Sequence, residues 1–299
     1  MTNTVVFLIY HGMGHFNACF RLAKSLSSDH DVVFAGHSSF KSYIETQGFI
    51  FYPLSTVPFG MGLEQWINEQ QKSKYPYLKT IQDRWSDRLY KLREAELNQL
   101  LKDLEPDTIL IDSYQSTDFI VLYPSIKNTS TRVAFIQTML PTIVRENLPP
   151  INSTILPSDT DEIKKAWKQF RWKSIKKTAK EKLRYLGMDD NAIIQRRIGK
   201  NKIPTSLLAE EKNLRGASFT NIDEFILAPA EFDFQQHISN VFQKYIGFQP
   251  DLKRIEVSDM EYFKLDAEIR RKVKENESIL IYCSFGSVRA SDTSAVNTF

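Results

Sequence analysis

The 299 residues carry 42% hydrophobic side chains, enough for a large core and for one large or two modest domains. The 39 basic and 36 acidic residues leave a net charge of +3, which argues against a nucleic-acid-binding surface spread over the chain. Two cysteines, Cys19 and Cys283, exclude a disulfide framework and suit a reducing, cytoplasmic setting, and no run approaches the roughly 18 apolar residues of a membrane span.

Residues 5–10 (VVFLIY) form a β-branched and aromatic run without polar alternation, the pattern of a strand buried on both faces of a parallel sheet. A glycine-spaced turn follows, and Phe16, Phe20, Ala23 and Leu26 then recur at helical spacing. Residues 31–35 (DVVFA) and 49–52 (FIFY) are further buried strands, with a short helix over 40–46 between them. A loop marked by proline and glycine, 55–62, leads into a long helical stretch that is best defined over 77–104. After Glu105-Pro106-Asp107 comes the run 108–111 (TILI), which ends on Asp112, and then 132–136 (RVAFI), followed by Gln137, Thr138 and Met139. Strands alternating with helices predict an α/β fold with a doubly wound, Rossmann-like parallel sheet.

Beyond that point the pattern changes. Residues 148–158 read as a loop rich in Pro, Ser, Thr and Asn, and 163–186 as a basic amphipathic helix or helix pair. Lysines and arginines there surround Trp167, Phe170, Trp172, Ile175, Leu183 and Leu186, so the segment either packs on the domain or meets anionic lipid or an apolar acceptor. Short strand candidates fall at 217–221, 226–228 and 245–247, a polar linker over 250–263, a charged helix over 268–276, and a last buried strand over 278–285 (SILIYCSF). The expected division is a domain over 1–247 with a helical insertion at 148–215, a linker over 248–277, and the first strand and loop of a further domain over 278–299.

The opening glycine turn does not satisfy the dinucleotide fingerprint, because Asn17 stands at the third glycine position and the strand over 31–35 ends in Gly36-His37 with no acid for a ribose. Nor does a Gly-Lys-Ser/Thr follow it, which excludes a P-loop. Neither cysteine offers a paired ligand, so no metal site is expected; His11, His30, His37 and His237 read as surface or structural histidines. His15 is different. In the common strand order 3-2-1-4-5, the first and fourth strands lie side by side, about 4.8 Å apart, with their carboxyl ends at the topological switch point. His15 follows one and Asp112 ends the other, so a carboxylate could orient an imidazole whose second nitrogen takes a proton from a hydroxyl; a structural histidine and a helix-capping aspartate remain the alternative.

Several segments, in order, resemble the inverting nucleotide-sugar glycosyltransferases of the GT-B fold. Gly14-His15-Phe16-Asn17 with Leu22-Ala23-Lys24-Ser25-Leu26 resembles that family's Gly-His-x-Asn-Pro turn and helix, with Ala18 in place of the proline. His30-Asp31-Val32-Val33-Phe34, Leu110-Ile111-Asp112 and the run 134–139 resemble successive landmarks of the acceptor domain, and Tyr245-Ile246-Gly247 the approach to the donor domain. Ile281-Tyr282-Cys283-Ser284-Phe285-Gly286-Ser287 resembles the first strand of the donor domain. The resemblance implies His15 as general base, Asp112 as its partner, Gly14, Thr138, Gly286 and Ser287 at the donor, and Phe16, Asn17, Met139 and the loop 57–63 at the acceptor. It implies a UDP-sugar-type co-substrate, no cofactor, no metal, and a small, lipophilic hydroxyl acceptor. The family's His-Cys-Gly-x-Asn-Ser phosphate-binding stretch is not in this sequence, so the expected protein is an acceptor half, cut short after the start of the donor domain and inactive alone. It would be cytoplasmic, with peripheral membrane contact through 163–186 and no nucleic-acid partner. The alternative is a non-catalytic module that binds acceptor or docks onto a separate donor-domain chain.

Overall fold

A computed structural model describes residues 3–141, 148–150, 153–209, 217–233, 242–250 and 260–275. The chain divides into two compact units, 1–250 and 251–299. The first holds a seven-stranded sheet in the order β3-β2-β1-β4-β5-β6-β7, every neighbouring pair parallel. Its strands are β1 (Asn3–Leu8), β2 (His30–His37), β3 (Ile50–Leu54), β4 (Thr108–Asp112), β5 (Arg132–Gln137), β6 (Glu224–Ile226) and β7 (Gln243–Tyr245). The α/β doubly wound class is the one expected, and β1 lies beside β4 with Leu8 in register with Ile111.

Burial explains why β1 is central. Its side chains alternate between two cores: Val6 and Leu8 enter one, Val5 and Phe7 the other. The first core also contains Leu97 and Leu100 of α5 (Arg88–Leu104), Ile120 of α6 (Thr117–Ile126) and Ile194 of α8 (Asp190–Lys200). The second contains Phe16, Cys19, Phe20 and Ala23 of α1 (Met13–Leu26) and Ile44 of α2 (Lys41–Thr46). Helices thus cover both faces, and a strand apolar on both sides is what such a sheet requires. Phe7 and Phe34 stack at 4.9 Å and Phe20 meets Phe34 edge-on at 5.8 Å, each ring contributing about 1.5–3 kcal/mol of burial.

The structure corrects several boundaries. The helical stretch over 77–104 is two helices, α4 (Pro76–Trp85) and α5, because Asp87 adopts a left-handed backbone with φ 55°. No glycine or proline marks that break. The buried Asp87 carboxylate is instead held by Arg196 and Arg197 and by Lys200 at 3.5 Å, all on α8, so a tertiary anchor sets the joint. Residues 217–221 contribute an antiparallel bridge from Phe219 to Leu208 rather than a strand of the sheet, and β6 and β7 each begin about two residues before the expected positions. The basic segment is one helix, α7 (Thr160–Arg184), and α3 (Glu64–Gln70) precedes α4. In the second unit, α9 (Met260–Lys274) starts within the segment read as linker. The strand expected over 278–285, with Cys283, Gly286 and Ser287, lies outside the described residues.

Candidate active site

The carboxyl ends of three adjacent strands build the site. After β1, the Gly12 N–H donates to the Tyr10 carbonyl at 2.7 Å, closing a tight turn. Gly12 then caps α1 with an extended backbone, and its carbonyl accepts from the His15 N–H at 2.9 Å, which puts His15 in the first helical turn. A Cβ at Gly12 would stand 3.0 Å from His15 Cδ2, so the glycine lets the imidazole lie against the turn. Asp112 ends β4, and Thr138 follows β5 directly.

These three side chains meet. His15 Nδ1 is 2.7 Å from Asp112 Oδ2 and 2.7 Å from Thr138 Oγ1. A carboxylate can only accept, so the proton belongs on Nδ1 and the lone pair on Nε2. Thr138 Oγ1 is then a second acceptor for that proton, and its own hydroxyl hydrogen is left to donate elsewhere. Nε2 has no hydrogen-bond partner among the described residues, while the His15 side chain keeps 14% exposure beside a fully buried Asp112. Asp112 is itself fixed: its Oδ1 accepts from the Tyr114 N–H at 2.9 Å and its Oδ2 from the Tyr10 N–H at 3.4 Å.

Two tyrosines, which sequence reasoning missed, wall the imidazole. Tyr114 meets the His15 ring edge-on at 4.9 Å and Tyr10 does so at 5.4 Å. Their signal was positional, since one ends the β1 run and the other stands two residues after Asp112. His11, expected to be a surface or structural residue, lies tilted against the Tyr10 ring at 4.2 Å, with His37 6.5 Å away. Burial first, and then the positive fields of His37, Arg93 and His15, hold His11 below the usual imidazole value. His37 caps the turn after β2, its Nδ1 accepting from the Ser39 N–H at 3.3 Å.

Other expected residues fall less centrally. Phe16 is fully buried in the core beneath β2, against Phe34 and Phe40, where its apolar ring completes the α1 stripe. Asn17 Oδ1 accepts from the Tyr43 hydroxyl at 2.6 Å, tying α1 to α2. Met139 is exposed beside the site, and its sulfur accepts from the Tyr114 hydroxyl at 3.4 Å. Gly14 is exposed on the first turn of α1, with open space where a Cβ would be. The loop 57–63 turns onto α8 instead: Phe59 is buried, and a Cβ at Gly60 would collide with Ile194 at 2.7 Å. Among the described residues, no group of three His, Cys, Asp or Glu side chains could hold a metal ion.

No family model and no curated protein matches the chain. Solved structures similar in fold include the glycosyltransferase of kitacinnamycin, at 13% identity and a TM-score of 0.49 over 86% of this chain and 54% of that one. The calicheamicin glycosyltransferase CalG4 is similar at 12% identity and a TM-score of 0.45, over 85% and 53% of the two chains. The glycosyltransferase SsfS6 of Streptomyces sp. SF2575 is similar at 10% identity and a TM-score of 0.41, over 91% and 65%. The chain spans about half to two thirds of the length of these glycosyltransferases.

Proposed function

We propose that this chain is the acceptor-binding half of a GT-B glycosyltransferase, which moves a sugar from a UDP-sugar-type donor to a hydroxyl of a small, lipophilic acceptor with inversion. The observation that carries the reading is the 2.7 Å contact of His15 Nδ1 with the buried Asp112, which leaves Nε2 without a hydrogen-bond partner among the described residues, at the topological switch point. In this mechanism Nε2 removes the acceptor proton as the acceptor oxygen forms its bond to the anomeric carbon. The bond from that carbon to the diphosphate oxygen breaks, and the leaving diphosphate keeps the electron pair. Asp112 holds the tautomer and stabilises the positive ring that results. Thr138 would turn its free hydroxyl hydrogen toward the transferred sugar. Gly14, on the first turn of α1, would approach the diphosphate through its backbone N–H. The motif resemblance of Gly14-His15-Phe16-Asn17 and Leu110-Ile111-Asp112 supports the same roles.

Turnover is assigned to the chain together with a nucleotide-sugar-binding domain, and acceptor binding to the chain itself. In a protein that pairs the two, His15→Ala should lower kcat by about 10²–10⁴-fold while acceptor Kd, measured by calorimetry, stays the same. Undiminished turnover would remove His15 as the base.

A further inference from the structure

Helix α7 carries two apolar faces. Ile163 and Trp167 are buried, Phe170 meets Trp167 edge-on at 5.3 Å, and the Trp167 indole N–H donates to the Leu148 carbonyl at 2.7 Å. At the far end Tyr77 donates to the Arg184 carbonyl, and the Arg84 guanidinium lies 3.9 Å over the Tyr185 ring. The helix is therefore anchored to the body at both ends. On the opposite side Trp172, Ile175, Ala179 and Leu183 recur at i, i+3, i+7 and i+11, which places them on one stripe. Trp172 is 57%, Ile175 59% and Leu183 81% exposed, so this stripe faces solvent along its length.

Charge identifies what the stripe meets. The helix holds ten Lys and Arg against three Asp and Glu, so the rest of the chain has 29 basic and 33 acidic residues. All of the protein's positive surplus is concentrated here. From Ile163 to Arg184 the one acid is Glu181, which is half-buried and paired with Lys177, while exposed Lys168, Lys176, Lys180 and Lys182 flank the stripe. A row of exposed apolar side chains led by a tryptophan and bordered by lysines is complementary to an anionic lipid interface, where ring and aliphatic groups sit at the acyl boundary and ammonium groups meet headgroups. An acidic protein partner would complement the lysines but gives no reason for the leucine and tryptophan to be presented together with them.

We infer that α7 docks the protein onto an anionic membrane surface through Trp172, Ile175 and Leu183 and their flanking lysines. The helix lies in the interface plane and does not span the bilayer. This docking is independent of the reaction assigned to His15.

The full chain should co-sediment with vesicles of about two parts phosphatidylcholine to one of phosphatidylserine at least about tenfold more tightly than with phosphatidylcholine alone, and added salt should release it. The triple variant Lys168→Glu/Lys176→Glu/Lys180→Glu should lose that preference, and Trp172→Ser/Leu183→Ser should weaken partition by about tenfold or more. These side chains are exposed, so circular dichroism should be unchanged in both variants. Equal partition onto the two kinds of vesicle, none onto either, or partition unaltered by the variants would overturn the inference. So would self-association in the absence of lipid that Trp172→Ser abolishes, since the stripe would then be an interface between copies of this chain.

Discussion

Replacing Asp112 with Asn exchanges one carboxylate oxygen for an NH₂ group and should reverse the tautomer of His15. The carboxylate serves three donors: Tyr114 N–H on Oδ1, and His15 Nδ1–H with the Tyr10 N–H on Oδ2. An asparagine has one oxygen to divide between those sides. With that oxygen toward His15, its NH₂ faces the Tyr114 N–H and leaves a partly buried donor unmet, a cost of about 1–3 kcal/mol. With the oxygen toward Tyr114, the NH₂ points at Nδ1 and is satisfied only if Nδ1 becomes bare and the proton moves to Nε2. That arrangement gives up only the Tyr10 N–H bond, the longer at 3.4 Å against 2.9 Å, and should prevail by about 1 kcal/mol, a population excess of about fivefold. Long-range ¹H–¹⁵N correlation on the chain itself distinguishes a protonated from a bare ring nitrogen; it should find Nδ1–H in the parent protein and Nε2–H in Asp112→Asn. In a protein with the donor domain, the same change should lower kcat by about 10²–10⁴-fold, because the base then has no lone pair to offer. An Nδ1–H tautomer retained in the variant would refute the reasoning.

Three further outcomes follow from the packing. A Cβ at Gly36 would stand 2.9 Å from Phe16 Cζ and 3.4 Å from the Ile9 carbonyl, so Gly36→Ala should destabilise by about 1–3 kcal/mol in urea unfolding, with Phe16→Leu recovering part of the loss. Asp118 is fully buried and receives Arg93 Nε at 3.0 Å and Nη2 at 2.6 Å; Asp118→Asn should cost about 3–5 kcal/mol, and the double change Arg93→Met/Asp118→Leu distinctly less than the single one. At Glu96, burial pushes the carboxyl up, but hydrogen bonds from the backbone and side chains of Ser55 and Thr56 outweigh it and hold the group below its ordinary 4.5. A depressed folded value means stability that is present above the unfolded value and lost as pH falls through the folded one. Glu96→Gln should therefore reduce the fall in urea midpoint between about pH 7 and 3.5.

The parts of this fold that could be read from the sequence are those set by local pattern. The run 5–10 predicts a central strand because both of its faces are apolar, and the α1 stripe is visible at helical spacing. Placing His15 near Asp112 needed one further step, the strand order, which right-handed crossovers restrict to few choices. What could not be read depends on distant partners. The left-handed Asp87 joint is fixed by cations more than 100 residues downstream. The resemblance places Phe16 at the acceptor beside His15, yet the helical turn sends the two side chains to different faces, one to the core and one to the site. Tyr10 and Tyr114 come together at His15 only when β1 and β4 are paired, and neither carries a motif of its own. Helix α7 gave a mixed signal for a physical reason: its apolar residues divide between an anchored face and an exposed one.

The claim that His15 removes the acceptor proton is tested most directly by varying the acidity of that proton. In a protein pairing this chain with a nucleotide-sugar-binding domain, transfer to an ordinary alcohol and to an electron-poor phenol of the same shape would be compared between the parent and His15→Ala. A hydroxyl already ionised in solution needs no base. The account predicts a deficit of about 10²–10⁴-fold for the alcohol that shrinks toward unity for the phenol. An equal deficit for both acceptors would contradict it and leave His15 with a role in binding or packing.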